Sequence, residues 1–280
     1  MILASCARNE AAETPAAPPS VQASRVVSKS ITEFDEFSGR FEAVERVEVR
    51  PRVSGYVVAT HFAQGHEVKK GDILYVIDAR PYQAILKHAQ AELTRARTQA
   101  VLAESERVRA TKLIEKRAIS QEEFDARTSG TEQAAANLQA AEAAVESAAL
   151  DLSFTEVRAP ISGLVGRAEI TAGNLVSAGQ TLLTTVVSID PIYVSFDGDE
   201  QVYLKNVGQE LRGEVKSQRN SQNPVWAGLA DEQGHPHEGV MVFLDNELDP
   251  NTGTIHARGL FKNADRRFTP GMFEIGRAHV

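Results

Sequence analysis

The chain has 280 residues, of which 42% are hydrophobic, and carries a net charge of -8. A length of this order can form two or three small domains. The acidic balance argues against a nucleic-acid partner, because phosphate neutralisation needs a basic surface. No apolar run reaches the length of a transmembrane helix. The single cysteine, Cys6, excludes an internal disulfide and a multi-cysteine metal site.

Residues 1–25 are expected to be the remnant of a lipoprotein signal followed by a flexible tether. Cys6 follows Leu-Ala-Ser at residues 3–5, which resembles the cleavage box of bacterial lipoproteins, so we expect lipidation at Cys6. The few residues ahead of this box supply neither a basic segment nor an apolar run, which indicates a truncated start. Residues 7–24 are rich in Ala, Pro and polar residues, a composition that cannot support a core. The alternative is a chance cysteine near a ragged terminus.

An internal repeat relates residues 53–72 to residues 161–180 at a constant offset of 108 without a gap. Because glycine suits tight turns with positive φ, we expect six turn glycines, namely Gly55, Gly65, Gly71, Gly163, Gly173 and Gly179. Apolar and polar residues alternate between them, which is typical of short half-buried strands. Each unit, 49–80 and 154–188, is too small to bury a core alone, so the two are predicted to face each other.

The segment 81–153 that separates the repeats has the composition of helices, with much alanine and no proline after Pro81. Ser120 and Glu123 form a capping-box pattern, so one helix should end near Arg117 and a second begin after Ser120. Two apolar seams with heptad-like spacing follow: Tyr82, Leu86, Ala89, Leu93, Ala96, Ala100, Ala103, Arg107, Ala110 and Ile114, then Phe124, Arg127, Thr131, Ala134, Leu138, Ala141, Val145, Ala148 and Leu152. The short connection makes the helices antiparallel.

Charge separates the two predicted helices. Residues 81–117 hold eight Lys or Arg against four Glu, whereas residues 120–153 hold one Arg against seven acidic residues. Opposite signs favour the hairpin over self-association of either helix. Exposed pairs contribute only about 0–1 kcal/mol each, so charge selects the partner more than it stabilises the pair.

The flanking segments 26–48 and 189–273 are rich in predicted strands. Strands are expected at 191–196, 238–245 and 254–261, with a turn at 248–254, and seven such runs suggest a small antiparallel barrel. Residues 26–48 are assigned to the first strands of a membrane-proximal domain or of this barrel. Asp197, Asp199 and Glu200 are interpreted as a turn and a helix start rather than an acid-base pair, with Asp199 as the helix cap. His235 and His237 could bind a metal, but two histidines around a proline without a third ligand usually mark a loop.

The last seven residues, 274–280, continue no recognisable pattern. These seven residues are what translation of a sequencing adapter would give, so we expect an artefact and exclude them from the fold. A genuine irregular tail is the alternative. Resequencing past the codon for Phe273 distinguishes the two.

These parts together resemble the periplasmic adaptors, or membrane fusion proteins, of tripartite resistance-nodulation-division (RND) efflux pumps. The resemblance covers residues 25–273, and its most specific pieces are RPRVSGYV, VRAPISGLVGR, IDPIYVSF and LDPNTGTIHARGLFKN. It implies an elongated α+β protein in which an antiparallel coiled-coil hairpin splits a lipoyl-like β-sandwich and a small β-barrel follows. A membrane-proximal domain completes that family's fold, and here it is expected to be largely missing.

The resemblance also implies partners and site residues. Arg109, Leu113 and Ser120 match the spacing of the family's hairpin tip, which engages an outer-membrane channel; Ser120 as a helix cap and Leu113 beside the seam are the structural alternatives. The other partner would be an inner-membrane proton-driven transporter, contacted by the barrel and the membrane-proximal domain. The family implies a hexamer, a periplasmic location in a Gram-negative envelope and a lipid anchor, expected in the inner membrane although Ala7 after the cysteine leaves the membrane open. No cofactor, metal or catalytic residue is expected, and the exported cargo would be drugs or other small molecules.

Two other classes fit parts of the pattern. An adaptor of an ATP-driven export system shares the architecture, although its hairpins tend to be longer and the barrel motifs fit it less well. A lipoyl or biotinyl carrier domain uses the same half-repeats, but it presents a modified lysine on the turn that joins them. Here the hairpin replaces that turn, and Lys87 lies inside the first predicted helix.

Overall fold

A computed structural model describes residue 22 and residues 24–29, 34–213 and 223–279, with the side chains of 278 and 279 left aside. Cys6 and the tether up to residue 21 lie outside these ranges. The helices are α1 Arg80–Glu115, α2 Gln121–Ser153 and α3 Glu200–Leu211. The strands are β1 Phe34–Ala43, β2 Arg46–Val49, β3 Gly55–Thr60, β4 Glu67–Val68, β5 Ile73–Ile77, β6 Glu156–Arg158, β7 Gly163–Val165, β8 Leu175–Val176, β9 Thr184–Val187, β10 Ile192–Asp199, β11 Pro224–Gly228, β12 His237–Asp249, β13 Thr254–Phe261 and β14 Phe273–His279.

Two four-stranded sheets form a β-sandwich from both repeats. Their strand orders are β2-β9-β7-β4 and β6-β5-β3-β8, so each sheet takes strands from both sides of the hairpin. The core between them is aliphatic and includes Leu74, Ile77, Leu183 and Val186, all fully buried. The buried hydroxyl of Tyr75 donates to the carbonyl of Leu183 at 2.8 Å, and burial raises its pKa to about 12. Residues 75 and 183 are equivalent in the repeat, so this contact lies where the two halves meet.

The halves exchange equivalent hydrogen bonds, which explains the serine that precedes each repeat glycine. Ser54 Oγ accepts from the N–H of Ala178 at 3.0 Å, and Ser162 Oγ accepts from the N–H of Lys70 at 2.9 Å. The turn amides follow the same rule, because Gly71 donates to Ala159 and Gly179 donates to Pro51. Each half thus supplies acceptors for turns of the other, so each half needs the other to complete its backbone hydrogen bonds.

Five of the six repeat glycines have positive φ; four of these lie in turns, and Gly163, with φ 158°, begins a strand. The φ angles are 75° and 94° for Gly65 and Gly71, and 92° and 70° for Gly173 and Gly179. The expectation of a turn is wrong for Gly55 and Gly163, which begin strands β3 and β7. At Gly163 a Cβ would lie 2.0 Å from the Val187 carbonyl oxygen, so close approach of the backbone requires glycine there. At Gly55 a Cβ would lie 2.7 Å from a methyl group of the Ile77 side chain.

The segment between the repeats forms the predicted antiparallel hairpin. α1 begins one residue before Pro81, and α2 begins after Ser120, whose hydroxyl accepts from the N–H of Glu123 at 3.1 Å. The predicted seam is half-buried or buried along both helices, except at Arg127, which is exposed. The small seam residues let the helices approach, and Thr131 Oγ1 reaches the Ala103 carbonyl across the seam at 3.2 Å.

The charge difference between the helices is not matched by ion pairs across the seam. Among the described residues, the ion pair that joins α1 to α2 connects Glu106 to Arg127 at 2.8 Å. Here the acidic residue comes from the basic helix α1 and the basic residue from the acidic helix α2. Other hairpin pairs lie within one helix, as with Arg107 and Glu104 at 2.7 Å. The excess charges therefore face solvent.

The remaining strands close an antiparallel barrel of order β1-β10-β13-β12-β11-β14. Its core combines aromatic and aliphatic side chains, with Phe41 stacked on Phe268 at 4.4 Å between ring centroids. Asp199 caps α3 as predicted, accepting from the N–H of Gln201 at 2.7 Å. The closed barrel has six strands, and β2, the remaining strand of the flanking segments, belongs to the sandwich.

Two segment boundaries differ from the prediction. Residues 46–48 belong to the sandwich as part of β2 rather than to the segment 26–48, whereas β1 belongs to the barrel. Residues 274–279, excluded from the fold in the sequence analysis, continue β14, which pairs with β1 and with β11. That exclusion was wrong because backbone hydrogen bonds, which any non-proline sequence can form, close the barrel here.

Candidate functional site

The tip of the hairpin holds the three residues that the sequence singled out. α1 ends at Glu115, and the connection turns through Arg117, which has a positive φ of 55°. The N–H of Ala118 donates to the Leu113 carbonyl at 2.9 Å, which satisfies a carbonyl at the helix end. Ser120 then caps α2. The tip is therefore ordered by local hydrogen bonds that leave the side chains of the last turn of α1 at the surface.

Arg109 and Leu113 share one exposed face of α1 with Leu102. Their spacing of seven and four residues places all three within a narrow arc, away from Ala110 and Ile114 on the seam. Leu102 is 54% exposed and Leu113 is 43% exposed, so neither is buried by the hairpin itself. This face combines two exposed leucines with Arg109 and, by the same spacing, carries Glu106 between them and Lys116 at the tip.

Among the described residues, the hydrogen bonds of Arg109 go only to its own helix. Its Nε and Nη2 lie 3.3 and 3.4 Å from the carbonyl and hydroxyl of Ser105. Arg107, two residues earlier, instead pairs with Glu104 and lowers the pKa of that carboxyl. Lys112, Lys116 and Arg117 add further positive charge at the tip. A cation without a carboxylate partner on an exposed face is free to bind one on another protein.

The histidine motif of the barrel has a structural role. His237 Nε2 lies 2.8 Å from the Glu232 carboxylate, and its ring packs edge-on against Phe268. The N–H of Leu229, His237 and Arg267 together lower the pKa of Glu232. These contacts fix the connection between β11 and β12 to the barrel. Within the ranges that the structure describes, no cluster of three metal-ligating side chains is present.

A second polar chain lies on the outer face of β10 and β13. His256 Nδ1 is 2.8 Å from Asp197, and its Nε2 is 2.9 Å from the Ser195 hydroxyl. In the neutral ring Nδ1–H donates to Asp197, which leaves Nε2 to accept from Ser195. Ser195 is only 8% exposed. Its strand, β10, pairs with β1 on one side and β13 on the other, so the backbone amides around it are hydrogen-bonded within the sheet. The chain of hydrogen bonds orients these side chains on the barrel surface.

One junction connects the barrel to the sandwich. The fully buried Asn263 donates to the carbonyls of Ile189 and Phe268 at 3.0 and 2.8 Å, which ties the linker to the loop after β13. Arg266 in the same loop has a φ of 59° and pairs with Glu67 of β4 at 2.6 Å. Sequence analysis missed these residues, because nothing in their spacing marks a contact nearly 200 residues apart.

Two family models cover most of the chain. The model described as RND MFP, barrel-sandwich hybrid domain, matches residues 45–188, and the model described as RND MFPs, beta-barrel domain, matches residues 191–279. The chain therefore belongs to the RND membrane fusion proteins, the periplasmic adaptor subunits of efflux pumps. The predicted family, fold class and adaptor function are confirmed.

Curated relatives match nearly the whole chain. The multidrug efflux pump subunit AcrA of Escherichia coli K12 is 35% identical over 278 residues, which cover 99% of this chain and 70% of that protein. The toluene efflux pump periplasmic linker protein TtgA of Pseudomonas putida is 37% identical over 277 residues, covering 99% of this chain and 68% of that protein. The antibiotic efflux pump periplasmic linker protein ArpA of Pseudomonas putida is also 37% identical over 277 residues, covering 99% and 71%.

Solved structures share the fold. A MacA–MexA chimera that contains the Pseudomonas aeruginosa MexA α-hairpin domain superposes with a TM-score of 0.66 at 22% identity, covering 90% of this chain and 83% of that one. The membrane fusion protein Spr0693 of Streptococcus pneumoniae superposes with a TM-score of 0.62 at 15% identity, covering 87% and 97%. No helix in the described part of the chain combines the length and apolarity needed to cross a membrane.

Proposed function

We propose that the chain links an inner-membrane proton-driven transporter to an outer-membrane channel and that its hairpin tip binds the channel. The observation that carries the tip assignment is the exposed face of Leu102, Arg109 and Leu113, on which Arg109 has no carboxylate partner among the described residues. The relatives are named as subunits or periplasmic linkers of efflux pumps for multiple drugs, antibiotics or toluene. Drugs or other small molecules are accordingly the proposed cargo.

The hairpin geometry supports a spanning role. α1 has 36 residues, which at 1.5 Å per residue gives a rod of about 54 Å. Its seam is rich in alanine, so the hairpin buries little apolar area and gains stability from neighbours. A hexamer that packs hairpins side by side would supply such neighbours and would place the uncompensated charges of α1 against those of α2 in the next copy. The protein would act in the periplasm, held to the inner membrane by a lipid on Cys6, and would bind and position its partners rather than catalyse a reaction.

The test is the substitution Arg109→Asp in the complete gene, expressed in a strain that lacks its own adaptor. We expect loss of drug resistance, because the reversed charge repels the acceptor on the channel. Circular dichroism should show an unchanged helix content, since Arg109 makes no tertiary contact in the described structure.

Arg97→Asp is the matched control. Arg97 lies on the same helix, is exposed and gives the same change of charge, but it lies about three turns from Arg109, farther from the tip. Resistance should survive in this variant. If Arg109→Asp also preserves resistance, the tip assignment is wrong. Growth at several drug concentrations measures both.

A further inference from the structure

Three side chains on the outer face of the barrel form a chain of hydrogen bonds in the order serine, histidine, aspartate. The Ser195 hydroxyl lies 2.9 Å from Nε2 of His256, and Nδ1 of the same ring lies 2.8 Å from the Asp197 carboxylate. Ser195 and Asp197 are two residues apart on β10, so they share a face, and His256 is directly opposite Asp197 on β13. A nucleophile, a base and an acid that orients the base, in this order, form the arrangement that activates a serine.

The hydrogen bonds fix the roles of the two ring nitrogens. The ionised carboxylate of Asp197 only accepts, so in the neutral ring the proton lies on Nδ1 and the lone pair of Nε2 faces Ser195. A general base must lie about 2.6–3.2 Å from the atom whose proton it removes, and Nε2 meets this condition. Sequence spacing did not reveal the site, because Ser195 and His256 are 61 residues apart and meet only through the pairing of β10 with β13.

Arg258 supplies a positive charge beside the serine. It is directly opposite Ser195 on β13, where the Cβ atoms of paired residues lie about 5 Å apart. Its Nε is buried without a hydrogen-bond acceptor. The backbone amides around Ser195 are engaged in the sheet, so an oxyanion formed at this serine would take its hydrogen bond from the guanidinium instead.

A cavity of about 610 Å³ opens beside the hydrogen-bond chain, and both Asp197 and His256 line it. Three further carboxylates line the same cavity, those of Asp245, Glu247 and Asp249. Among the described residues, no Lys or Arg contributes to the lining. The cavity therefore favours a substrate with a positive charge. Ser195 itself is 8% exposed, which leaves room at the nucleophile for a short acyl group only.

We propose that Ser195, His256 and Asp197 form an esterase site for short-chain esters whose alcohol or thiol carries a cation. Ser195 is the nucleophile and His256 the general base, and both are catalytic residues. Asp197 is a positioning residue, which holds the imidazole ring in the required tautomer. This activity is additional to the adaptor role and does not depend on it, because every group involved belongs to the barrel.

The reaction balances with water as the co-reactant. Ser195 Oγ forms a bond to the acyl carbon as its proton passes to Nε2 of His256, and the carbonyl electrons move onto the oxygen that faces Arg258. When the carbonyl re-forms, the bond to the leaving alkoxide or thiolate breaks, and that group takes the proton from Nε2. Water then attacks the acyl-serine by the same proton path, which releases the acid and restores the serine.

The experiment measures hydrolysis of acetylthiocholine by the purified chain in a Cys6→Ser background, followed through the thiol that is released. We expect Ser195→Ala and His256→Ala each to lower kcat/KM roughly 100-fold, because general-base catalysis contributes at least that much. Ser38→Ala is the matched control, since Ser38 is an exposed serine on the outer face of β1, and it should leave kcat/KM unchanged. Melting curves establish that each variant is folded.

A second measurement tests the role of Asp197 with an uncharged reagent, diisopropyl fluorophosphate. In that reaction a bond forms between Ser195 Oγ and phosphorus, fluoride leaves and the proton passes to His256. Peptide mass spectrometry should find the adduct on Ser195, and Asp197→Asn should slow its formation roughly tenfold or more. A purely structural Asp197 would alter the melting temperature and not the labelling rate. The Asp197 side chain is 63% exposed, so Asp197→Asn decides the matter where a variant at a buried position does not fold.

The charge of the cavity is tested separately. Glu247→Gln should leave the labelling rate unchanged and raise the KM for acetylthiocholine, because Glu247 lines the cavity but lies outside the hydrogen-bond chain. The neutral isostere of acetylthiocholine, S-(3,3-dimethylbutyl) thioacetate, should have a kcat/KM roughly fivefold lower. Equal values for the two esters would show that the cavity does not select a cation, and the proposed substrate class would be wrong.

Three results overturn the esterase site itself. The first is a folded wild-type chain that hydrolyses acetylthiocholine no faster than buffer does. The second is a rate that a folded Ser195→Ala variant retains. The third is a fluorophosphate adduct that forms on another residue or does not form at all.

Discussion

At the scale of single residues, the glycines of the internal repeat have two different roles. Gly65 and its equivalent Gly173 adopt positive φ in turns, which the sequence predicts from residue type alone. Gly163 lies in a strand and is required because the backbone at Val187 passes too closely for a Cβ, whereas a Cβ at Gly55, also in a strand, would meet the Ile77 side chain. The sequence marks all of them as glycine, but it cannot distinguish a backbone requirement from a spatial one. Only the long-range packing of Val187 against Gly163 reveals the second.

The substitution Gly163→Ala tests this distinction. Its Cβ would lie 2.0 Å from the Val187 carbonyl oxygen, and backbone cannot yield as a side chain can. We expect the free energy of unfolding to fall by about 2–4 kcal/mol, measured by urea denaturation.

Gly130→Ala is the control for that experiment. Gly130 lies within α2, and a Cβ there would meet nothing within 4 Å. Alanine is the better helix former, so stability should rise by about 0.5–1 kcal/mol. Equal effects at the two sites would contradict the close-approach explanation.

At the scale of elements, the helices were predictable and one strand was not. The three-four spacing and the Ser120 cap give the hairpin nearly to the residue, because both signals are local. Arg127 was predicted on the seam, but its long side chain extends to Glu106 at the edge instead. The strand β14 depends on pairing with β1 and β11, far away in sequence, and its own residues give no strand pattern.

β14 shows an inverted pattern of exposure. Glu274 faces the barrel interior and is 3% exposed, whereas Ile275 faces outward and is 52% exposed. Both carboxylate oxygens of Glu274 are buried without a hydrogen-bond partner. An acidic residue inside and an apolar one outside is the reverse of what an antiparallel barrel selects. This is what residues foreign to the barrel would show, and the adapter origin of 274–280 stays a prediction for resequencing.

Glu274 makes barrel stability depend on pH. Burial raises its pKa from an ordinary value of 4.5 to about 8. Between these values the folded protein holds a proton that the unfolded chain has released, so stability falls as pH rises from about 5 to 8. We expect a lower melting temperature at pH 8 than at pH 5. Glu274→Gln should remove most of this difference, and a slope that persists in the variant would show that other groups cause it.

At the scale of the whole molecule, the relation of barrel to sandwich depends on contacts that sequence patterns do not record. The antiparallel barrel was expected from local strand runs, yet its closure by β1 and β14 joins opposite ends of the chain. The linker at Ile189 is held by the buried Asn263, and Arg266 reaches across to Glu67. Each of these contacts involves residues distant in sequence, so their pairing follows only from the three-dimensional fold.

The Arg266–Glu67 pair should limit motion between barrel and sandwich. Both side chains are partly exposed, so the pair contributes at most about 1 kcal/mol and weakens with salt. In a Cys6→Ser background, spin labels at positions 171 and 262 report the distance between the two parts. Glu67→Arg should broaden the distance distribution, and adding Arg266→Glu should narrow it again. A distribution unchanged by Glu67→Arg would show that the ion pair does not limit this motion.

The exchange of hydrogen bonds between the two halves also constrains the order in which the protein folds. Residues 49–80 leave the ribosome or translocon long before residues 154–188, which supply hydrogen-bond acceptors for their turns. Until the second half arrives, the strands of the first half have unpaired edges. Contacts within the hairpin are local in sequence and so form early, and they bring its two ends to within the roughly 10 Å between packed helices. The hairpin that extends outward in the folded protein would thus first bring the two halves of the β-sandwich together.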